Sequence, residues 1–392
     1  MNKLQTAALL IILMSFFLHI KKLRSTPQYL KSLLISGKMT SGRAYSLDYL
    51  RLLATLFAIA LHALKTAAEG AGTGSSGFIN LFTMIFLTCN TLFIMNSGAL
   101  ILRGKDESLL TFYSKRFARV AIPLFCYYSI YILLSTRFFN EGFLHGVKMS
   151  VYQMISGPID WTPHFWLIYV ILSLYILAPF FKVLVRNLSE PMLHGLAVLI
   201  IVFQCFNVFL PFLGISQGFS LMIRGWEGVF LLGYYFTSPA GRKHTALFTG
   251  LGIIAFIGSA ICLYTVPGYE TILYAEGSPV MILLASAMIL LFTAAEKKLP
   301  KPRAVMNFLI KYSYSILLVH WAVLYFVRKS SLITGAGFGV IGNAGVSFIA
   351  TLLLSAVCAF VFDNTVVFCF QILWESMTGF IHNLKKKGNK NL

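Results

Sequence analysis

Charge is scarce in this chain. Only 11% of its 392 residues are charged, and Asp and Glu together number 13. A soluble domain carries roughly 25% charged residues. This scarcity excludes a soluble globular enzyme, and the 58% hydrophobic content excludes a disordered chain. Cysteine is also sparse. The six cysteines lie inside apolar runs with no CxxC spacing, which argues against disulfides and against a metal site. No GxSxG or other nucleophile signature stands out. No internal repeat is evident, which weakens a transporter of the inverted-repeat type. Long polar segments are missing too. The largest stretch between apolar runs, about 137–163, is too small for a catalytic domain of its own.

Apolar runs fill the chain instead, and the mean hydropathy is +0.78. At about 20 residues per crossing, ten segments qualify: 46–67, 78–102, 118–136, 164–183, 193–213, 219–237, 246–266, 279–295, 312–327 and 341–362. No strict alternation suggests a barrel. The expected fold is therefore an all-α, polytopic transmembrane helix bundle with about ten core spans. Residues 5–20 form a further apolar run, followed by Lys21, Lys22 and Arg24 rather than a small-residue cleavage site. That run reads as an extra N-terminal or interfacial helix. Met39 stands just before the first core span as an alternative start. The division expected is 1–44 for the apolar segment and basic linker, 45–372 for the membrane domain and 373–392 for a basic tail.

The net charge of +19 resembles a nucleic-acid signal, but its distribution argues otherwise. Lys and Arg concentrate in 21–45, 103–119, 182–194, 238–245, 296–311 and 385–390, which together hold twenty-four of them. The intervening segments carry only Lys65, Arg137, Lys148, Arg224, Arg328 and Lys329. Every even crossing returns to the basic side, which is the positive-inside pattern. It predicts a multi-pass protein of the plasma membrane with a cytoplasmic C-terminus, surrounded by lipid and without a nucleic-acid partner.

Charge inside a span is costly and marks function by default. In the first core span Arg51 and His62 are eleven residues apart, roughly 1100° of helical rotation, or about 20° from three full turns. They share one face, about 16 Å apart along the axis. Asp48 precedes Arg51 by three residues and is placed to pair with it. Glu69 lies seven beyond His62 on the same face. Arg116 and Arg119 are i,i+3 neighbours at the start of the third span, suited to clamping phosphates but also to ordinary interfacial anchoring. His164 opens the fourth span and His320 lies inside the ninth; either suits a packing role. Trp161 and Trp166 flank His164 as belt residues. Arg224 and Glu227 suggest a structural ion pair. Asn96-Ser97-Gly98 suggests a close helix contact.

These residues together resemble the acyltransferase 3 family of integral membrane acyltransferases. Arg51 and His62 match that family's Arg and His separated by ten residues. Arg116 and Arg119 match its Arg-x-x-Arg. His164-Phe165-Trp166 is similar to its His-aromatic-Trp segment. Ser313-Tyr314-Ser315 through His320 is similar to its late Ser-Tyr segment, with Leu317 where an aromatic is usual. Phe93 through Gly98 resembles another, with Asn96 an unusual polar residue in it. The resemblance covers about 45–370. With no hydrolase-like domain alongside, the chain is similar to the stand-alone members that O-acetylate enterobacterial common antigen and related glycans of the bacterial inner membrane.

The resemblance implies acetyl-CoA or another short acyl-CoA as donor, no permanently bound cofactor, and a glycan or lipid-linked glycan hydroxyl as acceptor. It implies His62 as general base with Arg51 beside it, and Arg116 and Arg119 as the acyl-CoA site. His164, Trp166, His320 and Glu69 take acceptor or supporting places. The competing expectation is an exporter or flippase of a polysaccharide or lipid-linked sugar, with the same residues lining a path without chemistry.

Overall fold

The computed structural model describes residues 3–25, 29–34, 44–70, 77–134, 143–158, 162–215, 225–330 and 338–388. Of these, 88% are helical and none lies in a strand. Seven helices are long and apolar enough to cross a membrane: Tyr45–Gly70, Gly77–Leu102, Pro163–Asn187, Glu190–Phe212, Thr245–Thr265, Ala304–Lys329 and Gly339–Gly379. Of the other three expected spans, 118–136 is helical over its described part, as the π turn Phe117–Ala121 and the helix Ile122–Leu134. The span 279–295 is met by Pro279–Ala294, and 219–237 by the shorter Trp226–Thr237. The N-terminal run forms a helix, Lys3–Ser25. The stretch expected as the largest outer loop contains the helix Phe143–Ser156. Met39, Trp161 and Arg224 lie outside the described residues.

Burial separates an inner set of helices from an outer one. Tyr45–Gly70, Gly77–Leu102 and Ala304–Lys329 bury most of their apolar windows, whereas Thr245–Thr265 buries 11% of its own. Ile253, Ile254, Ile257 and Ile261 on that outer helix are exposed. In water such a stripe would promote aggregation; in a bilayer it is the lipid-facing surface. This contrast between helices, more than hydropathy alone, identifies a membrane bundle.

The inner helices pack through small residues. Gly98 faces the Phe230 backbone, and Gly233 faces that of Met95. A Cβ at either glycine would overlap the facing carbonyl oxygen. Lipid supplies no hydrophobic drive for helix association, so this close backbone approach matters for packing. The close contact expected at Asn96-Ser97-Gly98 is thus formed, and Trp226–Thr237 is the partner helix. Gly98→Ala should destabilise the bundle by about 1–3 kcal/mol through overpacking. A lower midpoint in thermal unfolding of the detergent-purified protein, followed by gel filtration, is the expected result. An unchanged midpoint would show that the helices move apart at no cost.

Candidate functional site

The third expected span begins as a short helix, Leu109–Arg116. The Ser108 side chain accepts a hydrogen bond from the Thr111 amide at 3.3 Å and caps it. The backbone then widens into a π-helical turn over Phe117–Ala121 before resuming as Ile122–Leu134. A π turn breaks the i→i+4 pattern and is often found at functional sites. Here Tyr314 donates to the Val120 carbonyl at 3.0 Å and Gln371 to that of Ala118 at 2.9 Å. The turn is therefore tied to two distant helices, and it carries Arg119, with Arg116 at its mouth.

Arg116 reaches Glu107 at 2.8 Å and lies over the Phe112 ring at 4.2 Å. The hydrogen bond from Lys115, with Arg116 beside it, holds the Glu107 carboxyl below its ordinary range. Arg119 is exposed. Arg51 pairs with Asp48 at 3.2 Å, as the i,i+3 spacing suggests. All three arginines line one cavity of about 320 Å³, together with Asn96, Tyr175 and Tyr314. Asn96 donates to the Leu47 carbonyl at 3.0 Å, and its buried Oδ1 has no partner.

A second cavity, of about 240 Å³, is lined by His62, His164, His320, Lys65, Asn90 and Trp166 among others. Three helical segments bring the histidines together. His62 rides on Tyr45–Gly70 and His320 on Ala304–Lys329. His164 sits in the turn Pro163–Phe165. The His62 and His320 rings are 5.4 Å apart, and those of His164 and His320 are 4.9 Å apart. Trp321 closes the group at 4.9 Å from His62 and 5.9 Å from His164.

Backbone carbonyls fix two of the rings. His320 Nδ1 lies 2.6 Å from the Leu317 oxygen, and His164 Nε2 lies 3.3 Å from that of Leu318. A carbonyl only accepts, so each ring donates through that nitrogen. In the neutral tautomer the other nitrogen is then an acceptor. His320 Nε2 and His164 Nδ1 are those nitrogens, and neither has a partner. Tyr131 also donates to the Leu318 oxygen, at 2.8 Å, and accepts from the Ala322 amide at 3.2 Å.

Leu317 lines both cavities. The two therefore share a wall, with three arginines lining one and three imidazoles lining the other. Arg51 lines the first cavity and His62 the second. Trp166 lines the histidine cavity and packs on Trp226 at 5.6 Å between ring centres. Glu69 is exposed and lines neither cavity.

Several participants carried no notice in the sequence. Lys65 had one signal, its i,i+3 spacing from His62, but counted there only as loop charge. Tyr131 and Asn90 had none. Asp363 accepts from Tyr127 at 2.9 Å and Ser315 at 2.6 Å, in a second π turn, Asp363–Val367. Its position just past an apolar run gave no hint of this.

One family model, acyltransferase 3, described as an acyltransferase domain, matches residues 44–360. No curated protein and no solved structure matches the chain.

Proposed function

The chain belongs to the acyltransferase 3 family, and from that premise we propose that it transfers an acetyl or other short acyl group from acyl-CoA to a hydroxyl of a cell-surface or lipid-linked glycan. The observation that carries this reading is the pair of cavities meeting at Leu317, arginines on one side and histidines on the other. Acyl-CoA is a polyanion with a long thin arm. Arg51, Arg116 and Arg119 suit its phosphates through charge-assisted, bidentate hydrogen bonds. The arm passes Leu317 and presents the thioester to the imidazoles. Loop charge supports the arginine cavity as the cytoplasmic mouth.

A hydroxyl is a poor nucleophile until its proton is removed. In this reading neutral His62 accepts that proton as the oxygen attacks the thioester carbonyl. The C–S bond then breaks, and the departing CoA sulfur takes the proton back from the imidazolium. His164 and His320 hold the wall of the same cavity. Export without chemistry asks for a passage wide enough for a sugar ring. Leu317 standing between two small cavities supports transfer instead.

The test uses the full chain in proteoliposomes with radiolabelled acetyl-CoA and a lipid-linked or soluble glycan. Label entering the glycan, matched by free CoA released, is the expected result. Movement of glycan across the bilayer with no label transferred would establish export instead.

A further inference from the structure

Among the described residues, Lys65 is the one Lys or Arg side chain lining the histidine cavity, and no carboxylate lines it. Lys65 lies three residues from His62 on the same helix, so their Cβ atoms are about 5–6 Å apart. It lines the same cavity. Its ammonium sits 4.3 Å above the centre of the Tyr274 ring, another residue of that wall. Among the described residues no carboxylate lies within ion-pair distance of it. Glu69, one turn further on, is exposed and makes no such pair.

A lysine near the end of a span often snorkels to the headgroups. Here the ammonium is held over an aromatic ring that lines the same cavity, so its charge stays beside the pocket. Cation–π contact contributes about 0.5–2 kcal/mol. It steadies the ammonium without neutralising it, leaving the charge for an arriving anion. The rest of the wall suits a sugar. Trp166 and Trp226 offer ring surface for the C–H face of a pyranose, and Asn90 offers both a donor and an acceptor.

We propose that the acceptor is an acidic glycan unit, whose carboxylate or phosphate is held by Lys65 while the hydroxyl to be acylated faces His62. The proposal rests on the acyl-transfer reading for the identity of the cavity as an acceptor site. Lys65 is a specificity residue: it selects the acceptor through its charge and touches none of the bonds that change.

Binding without acyl-CoA tests this separately from the reaction. Full-length protein in lipid nanodiscs is titrated with methyl β-glucuronide, glucose 1-phosphate and neutral methyl β-glucoside, followed by tryptophan fluorescence. At least one anion should bind at least tenfold more tightly than the neutral sugar. Whichever does so identifies the group as carboxylate or phosphate. Lys65→Ala and Lys65→Gln should bring the anion to the neutral level, and Lys65→Arg should keep most of the preference. Equal binding of all three sugars, binding of none, or a preference surviving in both neutral variants overturns the proposal. Failure of the acyl-transfer reading shows elsewhere, as absent label transfer in proteoliposomes.

Discussion

Replacing His62 by alanine should lower the rate of acyl transfer by about 10²- to 10⁴-fold, the usual contribution of a general base. The loss should fall on kcat. His62 lines the cavity next to the arginine cavity rather than the arginine cavity itself, so KM for acyl-CoA should change little. Folding should survive, because His62 is half-buried at a cavity wall rather than packed in the core. Its neighbours His320 and Trp321 keep their own helix. His320→Ala is the informative companion. His320 is fully buried, and its ring donates to the Leu317 carbonyl. Its loss should disturb the leucine between the two cavities and reduce both kcat and stability. Purified variants with matched gel-filtration profiles, assayed for label transfer, separate the two. Normal kcat in well-folded His62→Ala would remove it as the base and turn attention to His320 Nε2, which has a free lone pair in the same cavity.

The parts of this site that lie on one helix were legible in the sequence. Arg51 and His62 are linked by regular helical rotation, which depends on nothing beyond the helix itself. The pairing of Asp48 with Arg51 follows from the same local rule. His164 is different. It joins His320 across 156 positions of chain because a proline-led turn points it at the Leu318 carbonyl. No periodicity encodes such a meeting.

The π turn at Phe117–Ala121 was equally hidden. Two of its carbonyls, those of Val120 and Ala118, accept from Tyr314 and Gln371 on helices far along the chain. Hydropathy reports apolar content, not where a helix starts. Gly225, at φ +85°, caps the helix Trp226–Thr237 well inside the apolar segment 219–237. Where a proline opens the segment, as at Pro279, helix and apolar run coincide to within one residue. Counting charge by segment places Lys65 among the loop charges, because such a count ignores the face on which a residue sits.

Arg119→Ala and Arg116→Ala should each raise KM for acyl-CoA by roughly 10- to 150-fold, the equivalent of about 1.5–3 kcal/mol for a charge-assisted phosphate contact. The two are not equivalent. Arg116 is already engaged by Glu107 and lies over Phe112. Its removal also frees Glu107, which keeps Lys115 at 2.5 Å, and leaves a net negative change at the cavity mouth. Arg116→Ala should therefore have the larger effect on a polyanionic donor. Arg119 has no ion-pair partner among the described residues, so its variant reports phosphate contact more cleanly. The Tyr314 and Gln371 bonds go to backbone carbonyls of the π turn. They remain in both variants, and the turn should keep its shape. Lysine at either position restores the charge but not the planar fork, so recovery should be partial. Initial rates against acyl-CoA concentration, at saturating acceptor, give the split between KM and kcat. Lysine variants with wild-type KM would mean that these positions need only positive charge at the membrane surface, and the arginines would return to the role of interfacial anchors.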